Sequence, residues 1–145
     1  METIDVILRL GAAVLAGAAL GLNRDLHGKP TGVRTLGLVG LGSAMAVLAV
    51  YNTHDASAEG RVIQGILTGI GFLGAGVIIR TNQGQQIHGL TTAACAWLTA
   101  CIGVTCGAGE WRIALVSVFF AFLLLLIGGR LEKALHSRLS QPDDD

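Results

Sequence analysis

The sequence predicts an all-α polytopic membrane protein with about five transmembrane helices, its N-terminus outside and its C-terminus cytoplasmic. Three observations carry that expectation. Only 14% of the 145 residues are charged, against about 25% in an average soluble domain, which is too few to coat a water-facing surface. Mean hydropathy is +0.63. The apolar residues gather into five runs, at 4–22, 35–51, 62–79, 90–107 and 111–129, each close to the ~20 residues that cross a bilayer. Residues 1–130 read as one transmembrane domain, and 131–145 as a cytoplasmic amphipathic extension with an acidic tail. A net charge of zero removes the electrostatic basis for nucleic-acid binding.

The first run opens "METIDVILR", where Glu2 and Asp5 precede Arg9. Secretory signals begin positive, so a retained span is expected, with Asp5 and Arg9 as an i,i+4 pair. Its "GAALG", Gly17 to Gly21, follows Ala13 by one turn and is expected to pack against the third span. The loop "NRDLHGKPTGVR" comes next, punctuated by Gly28, Pro30 and Gly32, and the second run follows.

The third run, "VIQGILTGIGFLGAGVII", contains a G-x-G-x-x-G match at 69–74. A dinucleotide fingerprint needs a βαβ unit and an acid about 20 residues on. Here the next carboxylate is Glu110, and no Lys-Ser or Lys-Thr follows to make a P-loop. As a helix, the segment places Gly65, Gly69 and Gly76 on one stripe and Gly71 and Gly74 opposite it. Small residues let membrane helices approach closely, so a central, sandwiched third helix is expected. The alternative is a locally broken helix lining a cavity. Gln64 is the amide within this span.

The fourth run opens "HGLTTAACAWLTA", with Thr91, Cys95 and Thr99 four apart and Thr92 beside them. The hydroxyls can bond back to their own helix, bond across helices, or line a polar path. Cys95, Cys101 and Cys106 lack metal or redox spacing and read as small buried hydrophobes. The fifth run ends at Gly128-Gly129. Beyond it Leu131, Leu135 and Leu139 recur four apart, before the tail "QPDDD".

Orientation follows from the basic residues near the helix ends. Arg24, Lys29, Arg34, Arg80, Arg130, Lys133 and Arg138 fall on one side, and Arg9, Arg61 and Arg112 on the other. The richer side is cytoplasmic. "NRD" (Asn23, Arg24, Asp25), "GVRT" (Gly32 to Thr35), the end of the glycine run and the start of "GLTTAA" then converge on the cytoplasmic half of the bilayer. Arg24 and Arg34 could neutralise Asp25 there, hold an anionic headgroup or a partner's carboxylate, or simply snorkel. On the outer side, Glu2, Asp5, Asp55, Glu59 and Glu110 are oxygen ligands of the kind Mg²⁺ prefers. The expectation is solvated helix ends, and no metal set is singled out.

Four blocks, taken in order, carry a resemblance over about residues 5–130. They are "GLNRD" at 21–25, "GKPTGVRT" at 28–35, "GIGFLGAGVIIR" at 69–80 and "HGLTTAACAWLTACIGVTCGAG" at 88–109. Together they resemble the MgtC/SapB family of bacterial inner-membrane proteins. That family usually shows Glu-Arg followed by Glu or Gln. Here Arg24 matches, Asp25 keeps an acid, and Asn23 replaces the first carboxylate. Better-known members add a cytoplasmic ACT-like domain, and this chain ends soon after the fifth span.

The resemblance implies a multispan protein linked to growth in low magnesium and to survival inside host cells. It also implies a regulatory role that includes restraint of the F-type ATP synthase by membrane contact. A non-enzymatic regulator working by helix contact is therefore expected, with itself (a dimer first) or with a membrane partner. The alternative is a small transporter of Mg²⁺ or another ion with a path lined by the third and fourth helices. No resident cofactor is expected. His27, His54, His88 and His136 are scattered at loop or tail positions, and no nucleophile–base pair is visible.

Overall fold

Five helices carry the chain: α1 (Thr3–Leu26), α2 (Val33–Tyr51), α3 (Ala56–Val77), α4 (Leu90–Ala108) and α5 (Trp111–Leu139). The computed structural model describes residues 1–51, 53, 55–80 and 87–139, and their side chains except at 79–80, 87 and 130–139. All five helices are long and apolar enough to cross a membrane, so the chain is a multi-pass helical membrane protein. The third run stops short of its expected end. The helix gives way after Val77, and Ile79–Arg80 (β1) pairs antiparallel with Ile87–His88 (β2), Ile79 opposite His88.

The centre of the molecule is α4, which packs against each of the other four helices. Of its most apolar window, 56% is buried, against 11% for α3. Apart from Leu90, Trp97, Leu98, Ile102 and Val104, every residue of α4 is Ala, Gly, Cys or Thr. Small side chains all round a helix let neighbours close in from every direction.

The α1–α2–α4 core is built on backbone-to-backbone approach. A Cβ on Gly21 would stand 2.6 Å from Val33, and one on Gly107 would stand 2.7 Å from the Ala44 carbonyl oxygen. Gly17 lies as tightly on Leu36, and Gly103 on Gly40. Ala13, Leu20, Leu36, Ala44, Ala100 and Ile102 fill the space between them, all essentially inaccessible.

Two packing expectations are corrected. Helix α3 is peripheral, lying against α4 and α2 only along part of its surface. Among the described residues, a Cβ at Gly65, Gly69, Gly71 or Gly76 would meet nothing within 4 Å, and of these five glycines only Gly74 has a neighbour, Ala93, at 3.5 Å. Helix α1 packs on α2 and α4, with Gly17 and Gly21 facing α2 and not the third span. The physical reason is that glycine permits close approach without supplying attraction. The deepest interface formed where small residues and Leu or Ile alternate, as on α1, α2 and α4. The broken-helix alternative is also absent, since α3 is continuous from Ala56 to Val77.

Candidate functional site

At one end of the bundle the C-terminal turn of α1, the N-terminus of α2, the end of α3 and the start of α4 meet. Gly21 sets the spacing, because its lack of a side chain lets α1 lie against Gly32 and Val33. Asp25 then reaches α2, and its Oδ2 accepts a hydrogen bond from the Val33 N–H at 3.0 Å. A carboxylate at a helix N-terminus satisfies an orphan donor and complements the helix dipole. Gly32 leaves room beside it, as a Cβ there would push the Asp25 carboxylate aside. The Asp25 partner is therefore a backbone N–H, where pairing with Arg24 or Arg34 was one of the expectations.

Arg24 points inward from the same turn. It is 5% exposed, and its Nη2 donates to the Thr92 hydroxyl of α4. Its Nε is buried without a hydrogen-bond partner among the described residues. Snorkelling does not describe this side chain. Thr92 is 3% exposed and Thr99 fully buried, the latter donating to the Cys95 carbonyl of its own helix at 2.7 Å. Gly89 opens α4 with φ +94, a left-handed conformation that favours glycine, and a Cβ there would strike the Val77 carbonyl.

The other expected residues are placed apart from this contact. Thr91, Arg34, Thr35 and Gln64 are exposed, and Asn23 is half-buried. The Asn23 carbonyl lies 2.7 Å from His27 Nδ1. Thr35 lines an open apolar groove of about 500 Å³ between α2 and α3, with Gly65 and Gly69 on its other wall. The side chain of Arg80 and the whole of His54 lie outside the described residues.

The opposite end holds a site that sequence reasoning missed. Arg9 is 9% exposed. Its Nε donates to Asp5 Oδ1 at 3.1 Å and its Nη1 to the Gly107 carbonyl at 2.9 Å. Its guanidinium carbon sits 4.6 Å from the Tyr51 ring centroid, within cation–π range. The Asp5 pair was legible from its spacing. The contacts to α2 and α4 had a signal too, because Arg9, Ala13, Gly17 and Gly21 recur every four residues on the face that α1 buries. Among the described residues, no three His, Cys, Asp or Glu side chains cluster as metal ligands.

Comparison with known proteins follows the same blocks. The MgtC family model matches residues 10–134. The chain is similar to protein SrpB of Synechococcus elongatus, 39% identical over 91% of this chain and 79% of the relative. It is 41% identical to protein MgtC of Salmonella typhimurium, over 97% of this chain and 58% of that protein. It is 37% identical to "Putative magnesium transporter YhiD" of Escherichia coli K12, over 85% of this chain and 60% of that one. The chain thus spans little more than half the length of MgtC and YhiD, and none of these names is that of an enzyme. No solved structure matches. With a family model covering most of its length and relatives near 40% identity, this multi-pass helical membrane protein belongs to the MgtC family.

Proposed function

We propose that the chain is a non-enzymatic regulator in the bacterial inner membrane, N-terminus outside and C-terminus cytoplasmic, that adapts the cell to magnesium limitation and related stress. It acts by lateral helix contact, with a second copy or with a membrane partner such as the F-type ATP synthase. One observation carries the reading. Gly17 and Gly21 of α1, Gly40 of α2 and Gly103 and Gly107 of α4 are closed against neighbours, whereas Gly65 and Gly69 of α3 and Gly42 of α2 open into the groove between those two helices. Lipid offers little hydrophobic drive for helix association, so close backbone approach is what a partner helix would use. Crosslinking in native membranes followed by purification tests this. Recovery of a homodimer or a defined membrane partner is the expected result, and a chain recovered only as an uncrosslinked monomer contradicts it.

The name of the YhiD relative favours a second reading, transport of Mg²⁺. Thr92 and Thr99 do not suit a path, because both hydroxyls are closed inside the α1–α2–α4 core. Thr91 and Gln64 are exposed and remain as path residues only if copies assemble around them. Liposomes containing the purified protein and a trapped Mg²⁺ indicator distinguish the readings. Flux that falls in Thr91→Val or Gln64→Leu supports transport, and no flux supports the regulator.

A further inference from the structure

We propose that the Arg24 end of the bundle is an anion site that takes a phosphate group, from the headgroup of an acidic phospholipid or from free phosphate. The argument begins with an uncompensated charge. Arg24 is nineteen-twentieths buried; among the described residues its one hydrogen-bond partner is a neutral hydroxyl, and its Nε has none. Burying a guanidinium without a counter-charge costs several kcal/mol. Where the same helix buries Arg9, the fold supplies Asp5 of α1, the Gly107 carbonyl of α4 and the Tyr51 ring of α2.

Among the described residues, no acid fills this role at the Arg24 end. Asp25 is engaged by the Val33 N–H. Glu2 and Asp5 begin α1, at its far end, while Asp55, Glu59 and Glu110 flank the turns at that same far end. Residues 81–86 read "TNQGQQ" and contain no acid. Glu132 and Asp143 to Asp145 are the others, and they enter the test below.

A second feature lies at the same place. Thr92, the partner of Arg24, is in the first turn of α4, whose N-cap position is Gly89, with no side chain to cap the helix. The first N–H groups of a helix lack intrahelical acceptors and carry the positive end of its dipole. A buried guanidinium beside such a turn is the donor set that phosphate oxygens accept from. Seating a phosphate there draws the guanidinium outward and gives Nε the acceptor it lacks. The site stands at the ends of membrane spans, the depth at which lipid phosphates lie. Leu22, Leu26 and Leu90 are exposed around it and suit acyl chains.

The test uses the full chain in phosphatidylcholine nanodiscs. Melting temperature is followed on adding phosphatidylglycerol to the bilayer or inorganic phosphate to the buffer. Wild type, Arg24→Gln and the combined Glu132→Gln, Asp143→Asn, Asp144→Asn, Asp145→Asn variant are compared. A saturable rise in wild type, with affinity at least about tenfold weaker in Arg24→Gln, is expected, the factor that ~1.4 kcal/mol carries. A response to phosphatidylglycerol alone assigns a lipid headgroup, and a response to both probes assigns phosphate generally. If Arg24→Gln does not fold, native mass spectrometry of wild type from mixed nanodiscs decides, with a retained phosphatidylglycerol adduct expected over phosphatidylcholine. The proposal is overturned if neither probe favours wild type over Arg24→Gln, if no acidic lipid is retained, or if phosphate binds only after the four acids are neutralised.

Discussion

The same residue type does opposite work in two parts of this molecule. In the α1–α2–α4 core, glycine is where one backbone touches another, as Gly103 touches Gly40 and Gly107 touches Ala44. On α3, a side chain added at Gly65, Gly69, Gly71 or Gly76 would meet none of the described residues within 4 Å. The difference teaches that a glycine run marks where approach is allowed, and that neighbouring side chains decide whether it happens within the chain. A similar contrast separates the ends of α1. Arg9 is held by a carboxylate, a carbonyl and a ring, whereas Arg24 has one hydroxyl.

Substitutions can break each half of this comparison. The largest effect is expected from Gly103→Leu, which forces α4 off Gly40 and costs about 3 kcal/mol, the upper range for overpacking. Reversible unfolding in mixed micelles measures it, and a loss under ~0.5 kcal/mol would mean the glycine contact is not structural. Next comes Arg9→Met, which removes two charge-assisted hydrogen bonds and the Tyr51 contact, at a cost of roughly 2 kcal/mol. In the same neutral micelles, Arg24→Met changes stability by less than about 1 kcal/mol, because it also removes an uncompensated buried charge. Equal losses in the two arginine variants would erase the contrast between the ends.

Smaller still, Gly69→Ala is neutral or stabilises by up to ~1 kcal/mol, since the methyl group enters open space and alanine favours helix. A clear loss would place Gly69 in a contact.

How much of this was legible from residues alone differs by level. Spans, their order and the meeting of "GLNRD", "GVRT" and "GLTTAA" were legible, because apolar runs and antiparallel alternation bring those blocks to one end. The places of α3 and α4 were not. A stripe of glycines draws the eye to α3, while the determining feature, small side chains on every face of α4, has no single motif. Which of Arg24 and Arg34 is buried also follows from face. Arg24 shares its side of α1 with Gly17, Leu20 and Gly21, and Arg34 lies on the exposed side of α2.

The smallest effect is a pH response at the turn before α3. Asp55 caps that helix, accepting from the Ser57 N–H at 2.9 Å and the Ala58 N–H at 3.3 Å. Hydrogen bonding by Ser57, and then by the Ala58 N–H, holds its carboxyl below the ordinary carboxylate range. A lowered folded-state value means the stabilisation is present above the unfolded-state value and is lost as pH falls through the folded one. Asp55→Asn keeps a cap and should flatten that acid limb of the unfolding curve. An unchanged limb would assign the response to another carboxylate.

The central claim is that the open glycines of α3 serve a partner and not the fold. It is tested most directly by measuring membrane association and melting temperature together for Gly65→Leu/Gly69→Leu. The account predicts that crosslinked dimer or partner complex falls about tenfold, as loss of ~1.4 kcal/mol of contact gives, while the melting temperature of the monomer stays at or above the wild-type value. Association that persists undiminished, or that disappears only because the chain unfolds, would contradict it.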